Sequence, residues 1–293
     1  METAKRSKKV GLILSGGGAR GFAHIGVLKA LEDTDIKVDV VSGTSMGAIL
    51  GACFAAGYKA DEICKLVESL SWRDIIDFSL SAGFIKGAKL HAFLAEHLPR
   101  DFKDLQKPLA ITTTDVETGE EVVITDGDLI TALRASSGFP GAIEPIQFRG
   151  RTLADGGIIN NLPVEAAAFL DASYTIASDT TAPRRSVYDD PLSKGHWWER
   201  FKATVKLERR NPMMQMMLRS TDIMQSILTD MQYSLHPADV RVQHLMPEIR
   251  IESFWAFDEI VRLGEENARV TFGRAGLLSP AQPKPDTPSL ATS

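Results

Sequence analysis

Val38-Asp-Val-Val-Ser-Gly-Thr-Ser-Met-Gly-Ala-Ile-Leu-Gly-Ala-Cys-Phe-Ala-Ala-Gly57 is the stretch whose reading decides the fold. A β-branched run over residues 38–41 leads into Gly43-Thr44-Ser45-Met46-Gly47 and then into a long Ala/Leu/Ile segment, so strand, sharp turn and helix follow in that order. Gly-x-Ser-x-Gly in this setting is the pattern of a nucleophile elbow, with Ser45 at its tip. The flanking Gly43 and Gly47 have a steric reason. The nucleophile takes a strained backbone conformation, and a side chain at either glycine would collide with the strand or helix packed beside it. Alone, the motif also fits a small-residue turn between a buried strand and a buried helix.

Towards the N-terminus, Val10-Gly-Leu-Ile-Leu14 reads as a buried first strand. Gly16-Gly17-Gly18-Ala19-Arg20-Gly21 follows, and then a helical pattern of Phe22, Ile25, Val27, Leu28, Ala30 and Leu31 that ends at Asp33-Thr34-Asp35. A glycine loop opening a helix presents backbone N–H groups without internal partners, in the positive end of the helix dipole, and so makes an anion site. Gly16-x-Gly18-x-x-Gly21 is also a dinucleotide fingerprint, but that site needs an acidic residue closing the second strand. Asp39, eighteen residues after Gly21, opens that strand instead. Ser45 stands at its end. Loop and elbow should therefore lie side by side at the carboxyl edge of a parallel sheet, with the Gly17 and Gly18 N–H groups as oxyanion donors. Arg20 has two readings, a charge that steadies or joins the hole, or a solvated arginine at a helix start. His24, a lone histidine on an apolar helix, reads as packed and hydrogen-bonded.

Towards the C-terminus, helices are expected over residues 60–70 and 90–98, and strands over residues 109–115 and 120–125 joined by a tight turn at Glu117-Thr118-Gly119. Asp126-Gly-Asp128 caps a helix running to about Ser136. Trp72, Phe78 and Phe84 lie in a Ser/Gly-rich connector, as pocket wall or plain core. Residues 138–146, with two prolines and two glycines, form a shaped loop, followed by a turn at Arg149-Gly150-Arg151 and then Ala154-Asp155-Gly156-Gly157. Asp155, just after a strand and before two glycines, is the expected partner of Ser45; the plain alternative is an Asp-Gly surface turn. Residues 176–179 read as the last strand.

These three stretches, in this order and spacing, resemble the patatin-like phospholipases: Gly16-Gly-Gly-Ala-Arg-Gly21 as oxyanion loop, Gly43-Thr-Ser-Met-Gly47 as elbow, and Asp155-Gly-Gly157 as second catalytic element. Arg134-Ala-Ser-Ser-Gly-Phe-Pro-Gly141 and Gly156-Gly-Ile-Ile-Asn-Asn-Leu-Pro163 are similar to the family's linking segments. Asn211-Pro-Met through Asp222-Ile-Met, and Phe257-Asp-Glu-Ile-Val-Arg-Leu-Gly264, resemble the bacterial branch related to neuropathy target esterase. The resemblance implies an α/β fold, a three-layer α/β/α sandwich with a mainly parallel central sheet. It implies a Ser45/Asp155 dyad without histidine, an oxyanion hole from Gly17, Gly18 and Arg20, and motif glycines at Gly16, Gly21, Gly43, Gly47, Gly156 and Gly157. It implies lysophospholipase or carboxylesterase activity on a fatty-acyl ester through an acyl-enzyme. A Ser-Asp-His order can be written with His196, His236 or His244, but none has a strand-end or glycine-flanked setting. An acyltransferase with the same dyad and a nucleotide-binding regulatory module are the alternatives.

The chain has 293 residues, ample for a core, and a formal net charge of −5. Its basic residues are scattered apart from Lys5, Arg6, Lys8 and Lys9, so no nucleic-acid partner is expected. Only Cys53 and Cys64 occur, which fits a reducing, cytoplasmic compartment. Residues 10–14 are too short for a signal-peptide core, and no apolar run reaches the roughly 18 to 20 residues of a spanning helix. Any membrane contact is thus expected to be peripheral, at the inner face. The His and Cys spacing offers no metal-ligand cluster, and no metal or cofactor is expected.

The expected organisation is a basic leader over 1–9, a hydrolase domain over 10–272, and a Pro-rich flexible tail over 273–293. Within the domain, 10–180 carries the motifs and 196–235 is a helical Met-rich segment. Residues 180–190 read as a polar connector, and residues 254–263 as a closing helix. Six of the nine methionines fall between residues 213 and 231, with Ile223, Ile227 and Leu228 at helical spacing. Core packing is the favoured reading of that apolar stripe, with lid, acyl-chain wall, membrane face and subunit contact as alternatives.

Overall fold

A computed structural model describes residues 8–70, 87–140, 143–182 and 212–278. Expectations for the connector with Trp72, Phe78 and Phe84, for the stretch containing His196, for residues 183–190 of the polar connector, and for residues 279–293 of the tail lie outside these. The described elements are β1 (Val10–Leu14), α1 (Ala23–Glu32), β2 (Val40–Thr44), α2 (Met46–Ala55), α3 (Ala60–Glu68) and α4 (Ala88–His97). Next come β3 (Leu109–Asp115), β4 (Glu121–Ile124), α5 (Leu129–Ser136), β5 (Ile146–Phe148), β6 (Arg151–Asp155) and α6 (Val164–Ala168). The chain continues through β7 (Tyr174–Asp179), α7 (Pro212–Leu235), β8 (Val240–Gln243) and α8 (Phe257–Arg274).

The eight strands form one mixed, mostly parallel sheet in the order β5-β6-β3-β2-β1-β7-β8, with β4 also paired to β3. β1, β2, β3, β7 and β8 run parallel, and β4 and β6 run antiparallel to β3. Side chains alternate across the pleat, so the two faces of β1 feed two cores. Leu12 and Leu14 point into the larger one, shared with α1, α2, α3, α5 and α8, while Ile13 packs with Leu162, Ala167 and Ala177 beneath α6. Helices on both faces of the sheet give the three-layer α/β/α architecture. α1 and α8 approach closely because both carry glycine at the crossing: a Cβ on Gly26 would meet the Val261 carbonyl at 2.2 Å, and one on Gly264 the Ala23 carbonyl at 2.2 Å.

The register at β3 is what builds the site. Thr112 pairs with Thr44 of β2 and with Val123 of β4, and Thr113 pairs with Asp155 of β6 and with Val122 of β4. A residue has only two edges, so β4 occupies one edge of β3 throughout, and β2 and β6 share the other, end to end. The strands meet head to head at their carboxyl termini, which sets Asp155, the last residue of β6, against the turn that carries Ser45.

Four expectations need correction. β7 is not the last strand, because β8 pairs parallel to it from Ile176↔Val240 to Asp179↔Gln243. Four residues with only Val240 and Val242 facing inward carry too little period to be read alone. β2 begins two residues later than its β-branched run, at Val40, and the closing helix runs on to Arg274.

The fourth correction concerns α7. Its apolar stripe is not core: Met216, Ile223, Met224, Ile227, Met231 and Leu235 are all exposed, from 40% for Ile227 to 74% for Leu235. Gln225, Ser226 and Thr229 are buried instead. The helix is amphipathic as its period requires, but it is mounted with its polar side inward.

Candidate active site

The elbow has the expected local geometry. Ser45 sits between β2 and α2 at φ 53°, ψ −123°, a positive φ that an L-residue adopts only where its surroundings enforce it. The enforcement is visible at the flanking glycines. A Cβ on Gly47 would lie 2.2 Å from the Leu14 carbonyl oxygen, and one on Gly43 would lie 2.7 Å from the Ala48 amide nitrogen. Both obstacles are backbone and cannot swing aside. The Ser45 N–H donates to Ser136 Oγ at 2.8 Å, and the Ser136 hydroxyl donates to the Thr112 carbonyl at 2.7 Å, so α5 and β3 pin the turn. In the sequence Ser136 stands at a helix end and within a linking segment; its role depends on a contact 91 residues away.

Asp155 is 2% exposed. Its Oδ1 accepts the Gly157 N–H at 2.8 Å, while its Oδ2 is buried and completes no hydrogen bond. The Ser45 hydroxyl lies near enough to favour the charged carboxylate. Burial outweighs that hydroxyl and the Gly157 amide, and pushes the Asp155 carboxyl from 3.8 up to about 6. Gly156 is required by close approach, since a Cβ there would meet the Thr112 carbonyl at 2.3 Å.

The loop after β1 lies against the elbow: a Cβ on Gly16 would come within 3.3 Å of Ser45 Cβ. A 3-10 turn over Gly18–Phe22 precedes α1, with Gly18 at φ 54°. The Gly16 N–H donates to the Asn161 carbonyl and the Ala19 N–H to the Ile251 carbonyl, but the N–H groups of Gly17 and Gly18 between them have no partner among the described residues. Gly21 lies against the residue after Ser45, where a Cβ would meet Met46 Cγ at 2.5 Å. Arg20 is not solvated. It is 3% exposed and donates through Nη2 to Asp222 of α7 at 2.7 Å. α7 reaches the loop after Asp155 as well, because a Cβ on Gly157 would lie 2.5 Å from Gln225 Nε2.

The other candidates fall elsewhere. Asp39 Oδ2 accepts the Val10 N–H at 2.7 Å, at the amino end of the strands and away from the glycine loop, where a ribose carboxylate is not wanted. His24 is buried and donates to the Ser15 carbonyl, and desolvation lowers its pKa to about 4. His244 is buried beside it, and His236 pairs with Glu165 at the surface. Among the described residues no group of three His, Cys, Asp or Glu side chains is placed to hold a metal.

Residues 12–168 match the sequence model of the patatin-like phospholipases. Among curated proteins, the chain is 39% identical over 176 residues to an uncharacterized NTE family protein of Mycobacterium tuberculosis, covering 58% of this chain and 49% of that one. It is 30% identical over 290 residues to patatin-like phospholipase domain-containing protein 7 of Mus musculus, covering 92% of this chain and 21% of that one. The chain thus spans about half the length of the mycobacterial relatives and about a fifth of the mammalian ones. Among solved structures, VipD of Legionella pneumophila aligns over 91% of this chain and 67% of its own at 14% identity, with a TM-score of 0.46. With the family's match spanning more than half of its residues, and with NTE family proteins among its relatives, the chain belongs to the patatin-like phospholipase family.

Proposed function

We propose that the chain is a serine lipid acyl hydrolase, a lysophospholipase or carboxylesterase, working through a Ser45/Asp155 dyad. The observation that carries this reading is a strained, partly exposed serine facing a buried carboxylate, beside two backbone amides without a hydrogen-bond partner among the described residues. Ser45 Oγ attacks the ester carbonyl as its proton passes to Asp155, and the carbonyl electron pair moves onto oxygen, between the N–H groups of Gly17 and Gly18. Collapse of that intermediate expels the alcohol, which takes the proton from Asp155, and leaves an acyl-enzyme. Water then gives its proton to Asp155 and attacks the acyl carbon. The fatty acid departs and Ser45 regains its proton. A carboxyl at about 6 is ionised near neutral pH yet far more basic than one at 3.8, as this chemistry needs. The Arg20–Asp222 pair holds the glycine loop against α7, which supports Arg20 as part of the hole's framework.

Met46, Ile49, Cys53, Leu66, Leu90 and Phe93 line a small apolar cavity beside the residue after Ser45, which supports an apolar substrate only if these side chains move to admit it. No described helix is long and apolar enough to cross a membrane. The exposed stripe of α7 supports peripheral contact with a lipid surface, and the unbridged Cys53 and Cys64 support a cytoplasmic setting. Hydrolysis of lysophosphatidylcholine and of soluble fatty-acyl esters tests the reading. Wild type should release fatty acid and Ser45→Ala should not; equal release by both would sink it.

A further inference from the structure

Three successive carbonyl oxygens of the glycine loop are held from behind. Ser15 O accepts from His24 Nε2 at 2.8 Å. Gly16 O accepts from Thr180 Oγ1 at 3.0 Å and from Asn161 Nδ2 at 3.2 Å, and Gly17 O accepts from the Arg20 amide at 3.1 Å. All described peptides are trans, so each N–H lies opposite the carbonyl of its own plane. The Gly17 N–H shares a plane with the Gly16 carbonyl. Whatever fixes that carbonyl turns the Gly17 N–H the other way.

Thr180 and Asn161 are built for this task. Both are buried, Thr180 completely and Asn161 to within 3%. The proton order of Thr180 follows from its partners. Its hydroxyl must donate to Gly16 O, which can only accept, so Ser15 Oγ, 3.0 Å away, donates to Thr180 Oγ1 and in turn accepts the Thr180 N–H at 2.8 Å. Both side chains also stand where ordinary residues in the loop would put a methyl group. A Cβ on Gly17 would lie 2.5 Å from Thr180 Oγ1, and one on Gly16 would lie 2.5 Å from Asn161 Oδ1. The two glycines are therefore bound up with these two side chains as well as with the substrate oxygen.

We infer that Thr180 and Asn161 are positioning residues that aim the Gly17 amide at the developing oxyanion, an inference that rests on the hydrolase reading. A donor aimed by a fixed carbonyl matters in the transition state and little in substrate binding. Thr180→Val keeps the shape and removes the hydroxyl donor. On a soluble fatty-acyl ester it should lower kcat roughly 10- to 100-fold with KM within about two-fold, less than the roughly 100- to 1000-fold of losing a donor outright. Affinity for an alkylboronic acid, whose tetrahedral adduct puts oxygen at the amides, should fall in parallel. Thr180→Ser should recover most of both, and Asn161→Leu should repeat the pattern should Thr180→Val not fold. A folded Thr180→Val with wild-type kcat overturns this inference alone, as does a Thr180→Ser no better than Thr180→Val. A wild type that turns over no ester overturns the hydrolase reading and this inference together.

Discussion

At Asp155 two opposing effects meet, and their balance predicts opposite pH responses for activity and stability. In the proposed mechanism the carboxylate must be ionised to take the Ser45 proton, so kcat/KM should rise with pH through about 6 and fall away below it. Stability runs the other way. A carboxyl raised in the fold from 3.8 to about 6 binds its proton more tightly there than in the unfolded chain, so its contribution is full below 3.8 and lost as pH rises through about 6. Asp155→Asn should accordingly unfold at higher urea than wild type at pH 8, by on the order of 1–3 kcal/mol, with the difference gone below pH 4. Ser136 provides a second test at this scale. Ser136→Ala leaves the Ser45 N–H of a strained turn without its acceptor and should cost about 1–3 kcal/mol in chemical denaturation.

Among the elements, α7 departs furthest from what its sequence suggests. Periodicity established an amphipathic helix but not which side faces in, because that depends on what waits across the interface: here Arg20 for Asp222 and Gly157 for Gln225. Met224→Ser and Met231→Ser should each change stability by no more than about 0.5 kcal/mol, whereas Leu133→Ala, at a fully buried position of α5, should cost about 2–5 kcal/mol. Comparable losses at all three positions would place the stripe in the core after all. A double-mutant cycle over Arg20→Met and Asp222→Asn should give a coupling energy of about 1 kcal/mol or more, above the usual value for exposed pairs, because Arg20 is buried.

For the whole molecule, the sequence was informative where the chemistry is local. The elbow needs only Gly43, Ser45 and Gly47 within one turn, and the parallel β1–β2 pair with its glycine loop follows from two short apolar runs. Asp155 was harder. As residues, it is an Asp-Gly turn like any other, and its relation to Ser45 comes from β2 and β6 meeting on one edge of β3, a register no local pattern encodes. Thr180 and Asn161 were illegible for the same reason, acting on Gly16 from 164 and 145 residues away. The buried histidines govern the acid limit of the whole fold. His24 and His244 are lowered by burial from 6.5 to about 4 and about 3. Their contribution is full above pH 6.5 and lost as pH falls towards 4, at up to about 1.4 kcal/mol per pH unit for each, partly offset by Asp155. The urea midpoint should therefore drop on acidification through this window, and His24→Gln should flatten the slope.

The proposed chemistry turns on activation of Ser45 by Asp155. Its most direct measurement is the rate of covalent labelling of the intact protein by a fluorophosphonate, read by mass spectrometry with the adduct mapped to a peptide. A single adduct on Ser45 is expected, with none in Ser45→Ala and labelling slowed at least 100-fold in Asp155→Asn. An adduct elsewhere, or an Asp155→Asn protein labelled as fast as wild type, would contradict it.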